Sequence, residues 1–223
     1  MVRNFIISRW KKKKIINIVV GTNNAGKLRE IKDLLPSYLK IYSPKGLKLK
    51  SPKESGKSFK ENSLIKAKFF SKKTKMICLA DDSGLEIDIL NKKPGIFSSR
   101  WAGPKGNFNI AINRVFNELN KKDANWRNKK ILAQFICVLT LYWPGGKYVN
   151  SVGRVKGYII NKKKGNNGFG YDPIFKPLNK KLSFGQMKPK DKHKIDHRFQ
   201  AFKKIKKFFW IYYLQLCKNL MCD

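Results

Sequence analysis

Apolar positions in this chain recur with two different periods, and the alternation between them predicts interleaved strands and helices. The run at 15–20, closed by Gly21, predicts a buried strand. Leu28, Ile31, Leu34, Leu35 and Tyr38 then recur at helical spacing and predict a helix over 26–39. After a lysine-rich loop at 44–55, Ser58-Phe59-Lys60-Glu61 matches a capping box and should open a helix running through Phe70. Residues 76–80 read as a short apolar strand broken by a turn at 81–84, and 85–90 alternate as a half-buried strand does. The segment from Pro94-Gly95 to Gly106 reads as loop, and Ala111, Ile112, Val115, Phe116 and Leu119 mark another amphipathic helix. Residues 131–142 and 147–160 predict a long hairpin turned at Pro144-Gly145-Gly146. A Gly-Asn loop, the segment 168–175 and a final helix from about Pro189 complete the order. With an antiparallel hairpin among interleaved helices, the predicted class is α/β with a mixed sheet.

A length of 223 residues suits one domain, or one domain of two lobes, with a real core. We expect that domain at 15–207, between a basic extension at 1–14 and an apolar tail at 208–223. The apolar part of 1–14 is short and its lysines follow it, the wrong order for a secretory signal. The aromatic tail is too short for a bilayer span. Finishing a helix or covering a subunit contact are its simpler uses, with touching a membrane surface a third. Cys78 and Cys137 lie in apolar runs, and Cys217 and Cys222 have no metal-ligand spacing. Without a disulfide framework the expected setting is reducing and cytoplasmic.

The formal charge of +36 would ordinarily point to nucleic acid. However, 42 of the 50 basic residues are lysine, and they are scattered rather than gathered into a stripe. Arginine, the better tool for bidentate recognition, appears eight times. Dispersal argues for compositional bias over a specific nucleic-acid surface.

Chemistry concentrates elsewhere. Thr22, Asn23, Asn24, Ala25, Gly26 and Lys27 follow the first strand and precede a helix, the arrangement that presents amides and a cation to phosphate. Their spacing fits a P-loop, but Leu28 stands where such a loop needs Ser or Thr to hold magnesium. A metal must then come from carboxylates elsewhere. Asp81 and Asp82 are candidates for a metal ligand and a general base, since a divalent cation relieves repulsion between neighbouring carboxylates. His193 and His197 are four apart, as zinc ligands can be, but the intervening Lys-Ile-Asp lacks the needed glutamate and no third ligand is evident.

Four segments occur in order: Thr22-Asn23-Asn24-Ala25-Gly26-Lys27, Ala80-Asp81-Asp82-Ser83-Gly84-Leu85, Gly168-Phe169-Gly170-Tyr171-Asp172-Pro173 and His197-Arg198. Together with the segment from Pro94 to Gly103 and with Glu54-Ser55-Gly56, they resemble the inosine triphosphate pyrophosphatase family, the house-cleaning XTP/dITP diphosphatases. The resemblance spans about residues 15–207. It implies an elongated two-lobed fold around a long mixed β-sheet with the site in the cleft, usually a homodimer. It also implies Asp82 as catalytic base and Mg2+ ligand, Glu54 as second ligand, and Ser83 as a substrate contact. Phe169, Gly170, Tyr171 and Asp172 would form the base-binding loop. Lys192 would hold phosphate or base, and His197 with Arg198 would donate to a 6-oxo purine.

Two departures from the family's pattern stand out. Lys53 replaces a position often acidic in relatives, and Asp196 replaces a usual serine, where a carboxylate could raise the pKa of His197 or alter base preference. The implied activity is magnesium-dependent hydrolysis of ITP, dITP, XTP or dXTP to monophosphate and pyrophosphate. Competing readings are a Maf-like nucleotide pyrophosphatase with other substrates and a basic nucleic-acid-binding protein carrying relic motifs.

Overall fold

In a computed structural model the described residues are 15–219, with side chains to 214. The extension 1–14, Cys222 and the side chain of Cys217 lie outside them. Six strands form one mixed sheet: β1 (Ile16–Val20), β2 (Leu39–Tyr42), β3 (Ile77–Ile87), β4 (Ile131–Tyr142), β5 (Tyr148–Ile159) and β6 (Phe175–Pro177). Their spatial order is β2-β1-β3-β4-β5-β6. β1 runs parallel to β2 and β3, and all later pairings are antiparallel. The helices are α1 (Ala25–Leu34), α2 (Phe59–Thr74), α3 (Phe108–Lys122), the single turn α4 (Pro189–Lys192) and α5 (His197–Asn219).

The three central strands are long enough to support a separate core at each end. Leu85, Ile87, Phe135, Phe175 and the buried face of α3 form one. Ile18, Val20, Leu79, Leu139 and the packed face of α5 form the other. Strand β4 joins them, giving Ile131, Ala133 and Phe135 to the first and Cys137, Leu139 and Leu141 to the second. On the opposite sheet face, α2 packs Ala67 and Phe70 against Val19, Cys78 and Ala80. The expected hairpin is present, and so is the cap of α2, where Ser58 Oγ accepts from the Glu61 amide at 3.1 Å.

Three expectations are corrected. The first helix ends at Leu34 because Pro36 forces Leu35 into extended backbone, and residues 39–42 become a strand. Residues 81–84 are no turn: β3 continues through them, paired with β4 from Asp81↔Leu139 to Gly84↔Ile136. It ends at Ile87, where a 3-10 turn follows. The C-terminal helix is split, with α4 ending before His193 and α5 starting at His197. α5 then passes residue 208 without interruption.

Candidate active site

The turn after β1 first extends the sheet, with the Gly21 amide donating to the Leu79 carbonyl at 2.8 Å. Asn24 then caps α1, its Oδ1 accepting from the Lys27 amide at 3.0 Å, while the Asn24 amide donates to Thr22 Oγ1 at 3.2 Å. These bonds use part of the expected cradle. The first-turn amides of Ala25 and Gly26 are the ones with no intrahelical carbonyl to reach. Asn23 turns aside, donating from Nδ2 to Ser51 Oγ.

Continuity of β3 decides where its two aspartates go, because successive strand side chains face opposite ways. Asp81 lies on the α5 side, 3.1 Å from Lys27 Nζ and 3.7 Å from Arg198 Nη2, and accepts from Ser83 Oγ at 3.0 Å. Burial alone would raise its pKa, but Lys27, Arg198 and Lys66 outweigh it and hold the carboxyl well below the ordinary range. Asp82 lies on the α2 side, where Lys66 Nζ reaches its Oδ1 at 3.1 Å and Glu54 Oε1 at 2.7 Å. Here burial wins over Lys66 and Lys27, and the Asp82 pKa is raised. One member of the adjacent pair is thus a fixed counter-ion, and the other is poised to take a proton.

Glu54 and Asp82 form a donor set that suits a hard divalent cation: few carboxylates, with room for phosphate oxygens. The fit has a local sign, since Asp82 Oδ2 is buried with no hydrogen-bond partner. Lys53 is exposed, so the departure there leaves the Glu54–Lys66–Asp82 group intact.

On the other side of β3, a cavity of about 50 Å³ is lined by Lys27, Ser83, Phe169, Lys192, His197 and Arg198, among others. Phe169 rests on Gly26, where a Cβ would lie 2.6 Å from the ring, and both Lys192 and Arg198 sit over its face. Asp172 holds this loop by accepting from the Phe169 amide at 2.8 Å and from Lys192 Nζ at 2.6 Å. Tyr171 is buried against Phe108, its hydroxyl donating to the Ser98 carbonyl, so it anchors the loop, and it lines the cavity together with Gly170. Arg198 binds Glu30 through Nη1 and donates from Nη2 to Ser83 Oγ at 3.0 Å. Its Nε is buried without a partner, as is His197 Nδ1.

The His197 pKa lies well below its ordinary value, lowered by burial and then by Arg198, Lys192 and Lys27. Asp196 therefore does not raise it. That carboxylate caps α5 instead, accepting from the Phe199 amide at 2.7 Å, which explains how it can stand in for serine, another good N-cap.

Two residues were missed by sequence reasoning. Lys66 could have been suspected from its place on the buried face of α2, four residues past Asn62. Glu30 carried no motif; it bonds Lys192 at 2.8 Å and Arg198 across more than 160 residues of chain. Glu30, His193 and Asp196 are close enough to share an ion, but Glu30 is already committed to two cations. His197 stacks on Phe135 in the interior while His193 lies near Asp33, so these histidines form no zinc pair.

Comparison with known proteins places this arrangement in a family. A profile described as Ham1 family matches residues 18–208. A dITP/XTP pyrophosphatase of Zymomonas mobilis is 42% identical over 189 residues, covering 84% of this chain and 89% of that protein. One from Dictyoglomus thermophilum is 40% identical over 200 residues, covering 87% and 95%. A solved HAM1 protein from Coxiella burnetii superposes with a TM-score of 0.77 at 34% identity, covering 87% of this chain and 98% of its own. A likeness that runs through both cores and all four motif segments leaves one assignment: this chain belongs to the Ham1 family.

Proposed function

We propose that the chain hydrolyses deaminated purine nucleoside triphosphates (ITP, dITP, XTP, dXTP) to the monophosphate and pyrophosphate, removing them from the nucleotide pool. The reading rests on one observation above others. Four of the six buried polar atoms without partners among the described side chains belong to Asp81, Asp82, His197 and Arg198, in two groups flanking the same strand. Such atoms are rare in folded proteins and gather where a ligand completes them.

Lys27 and the free amides of α1 bind the phosphates. Glu54 and Asp82 would hold Mg2+, which when bound would neutralise phosphate charge and orient water. Asp82 takes a proton from the water that attacks the α-phosphorus; the bond from that phosphorus to the bridging oxygen breaks and pyrophosphate leaves. Lys66 keeps the two carboxylates in position. Arg198 donates to an oxygen at C6 of the base, which adenine lacks, and an amino group there would leave Nε unpaired. The present cavity is smaller than a purine, and Phe169, which rests on Gly26, is the ring in its lining placed to stack on the base. A cytoplasmic setting agrees with two buried free thiols, Cys78 and Cys137, and a homodimer follows the family pattern. No helix among the described residues is long and apolar enough to cross a membrane.

The test is pyrophosphate release across a panel of triphosphates, with and without magnesium. The reading expects ITP and XTP to exceed ATP, GTP, dTTP and UTP, and activity to vanish with chelator. Preference for dTTP or UTP would favour the Maf-like alternative.

A further inference from the structure

α5 carries more apolar surface than the sheet can cover. Ala201, Phe202, Ile205 and Phe209 form its packed stripe. Beyond them Trp210 is 54% exposed and Ile211 45%, and Leu214 is exposed one turn later. Of these three, Ile211 faces the tip of the β4–β5 hairpin. A groove of about 650 Å³ lies between, with Trp143, Lys147 and Tyr148 on the hairpin side and Phe208, Ile211 and Tyr212 on the helix side. Lys203, Lys206 and Lys207 are exposed on the preceding turns, and the helix contains no acidic residue. The family profile ends at residue 208, so Trp210 and the residues after it lie past the shared segment.

We infer that this face, made by the distal part of α5 and the hairpin tip, rests on an anionic lipid surface. The juxtaposition has the chemistry of an interfacial helix: aromatic and aliphatic side chains enter the headgroup boundary while lysines alongside meet lipid phosphates. Trp and Tyr suit that depth because one end of each ring system is apolar and the other polar. A second copy is a poorer occupant, since it would set the same lysines against these with no carboxylate on α5 to neutralise them. The catalytic cavity is unaffected. Phe135, which lines it, lies on β4 eight residues before Trp143, the residue that follows the strand, about 27 Å at strand spacing.

The experiment is co-sedimentation of the full chain with vesicles of phosphatidylglycerol and phosphatidylcholine, against phosphatidylcholine alone. Wild type binds the anionic vesicles and not the neutral ones. A Trp210→Ser, Ile211→Ser double variant, shown folded by circular dichroism and an unchanged melting midpoint, binds about tenfold or more weakly. Lys203→Gln, Lys206→Gln, Lys207→Gln also weakens binding, and raised salt reduces what remains. Failure to bind anionic vesicles overturns the inference. So does equal binding by the double variant, which would trace attachment to bulk charge. If size-exclusion chromatography shows a wild-type dimer that the double variant loses, the face is a contact between copies instead.

Discussion

Asp81 and Asp82 are neighbours on β3, yet their carboxylates work on opposite faces of the sheet: Asp81 against Lys27 at 3.1 Å, Asp82 against Lys66 at 3.1 Å. Under the proposed function the pair would divide its labour: Asp81 would neutralise cations that meet substrate, and Asp82 would serve the reacting water. Asp82→Asn should lower kcat by about 10²–10⁴ with little change in nucleotide binding. Asp81→Asn should act mainly on KM, through a displaced Lys27. Steady-state kinetics on ITP decide it, and wild-type kcat in Asp82→Asn would remove the assigned base.

Lys66 holds Glu54 and Asp82 together in the absence of other charge. Lys66→Met should destabilise the metal-free protein by about 3 kcal/mol, because it strands a buried carboxylate. Magnesium should restore more stability to this variant than it adds to wild type, since no ammonium competes for the carboxylates. Urea titrations with and without the cation measure both. Equal gains in the two proteins would place the cation elsewhere.

His197 is depressed in the folded state, so folding excludes a proton that the unfolded chain binds. The sign follows from linkage: this contribution is complete above pH 6.5, the unfolded value, and is lost as pH falls below it. The slope is about 1.4 kcal/mol per pH unit until the folded pKa is reached. Stability of wild type and His197→Gln should be compared across mildly acidic pH. The variant should show the shallower slope, and parallel curves would mean that His197 is already protonated when folded.

Gly153 on β5 lets α5 approach the sheet: a Cβ there would run into the His197 carbonyl and the Ala201 amide nitrogen. Gly153→Ala should destabilise by about 1–3 kcal/mol, as overpacking does, and raise KM by shifting His197 and Arg198. Thermal melts and kinetics test this together. A stable variant with an altered KM would still support the packing link to the site; no change in either would not.

Arg198→Lys keeps the charge but cannot span Glu30 and Ser83 as the guanidinium does. kcat/KM for ITP should fall by roughly tenfold or more, while the low ATP rate changes little. The ITP to ATP ratio is the readout. An unchanged ratio would separate Arg198 from base selection.

Much of this molecule was legible along the chain. Hydrophobic period marked the hairpin and α3, the Ser58–Glu61 box marked α2, and the motif segments held Lys27, Phe169 and Arg198, which the fold brings to one cavity. Those signals are local: a side chain's neighbours within a few positions decide whether it caps, turns or alternates. Partner choice is different. Whether Asp81-Asp82 bends as a solvated turn or runs straight depends on Lys27, Lys66 and Arg198 arriving from other elements to neutralise them once buried. Glu30 acquires its role only when a helix more than 160 residues later packs beside it. Asp196 looked like a perturbation of its histidine and became a helix cap. Residue order determined which groups this protein owns; burial and long-range charge pairing, which exist only in the folded state, decided which of them face each other.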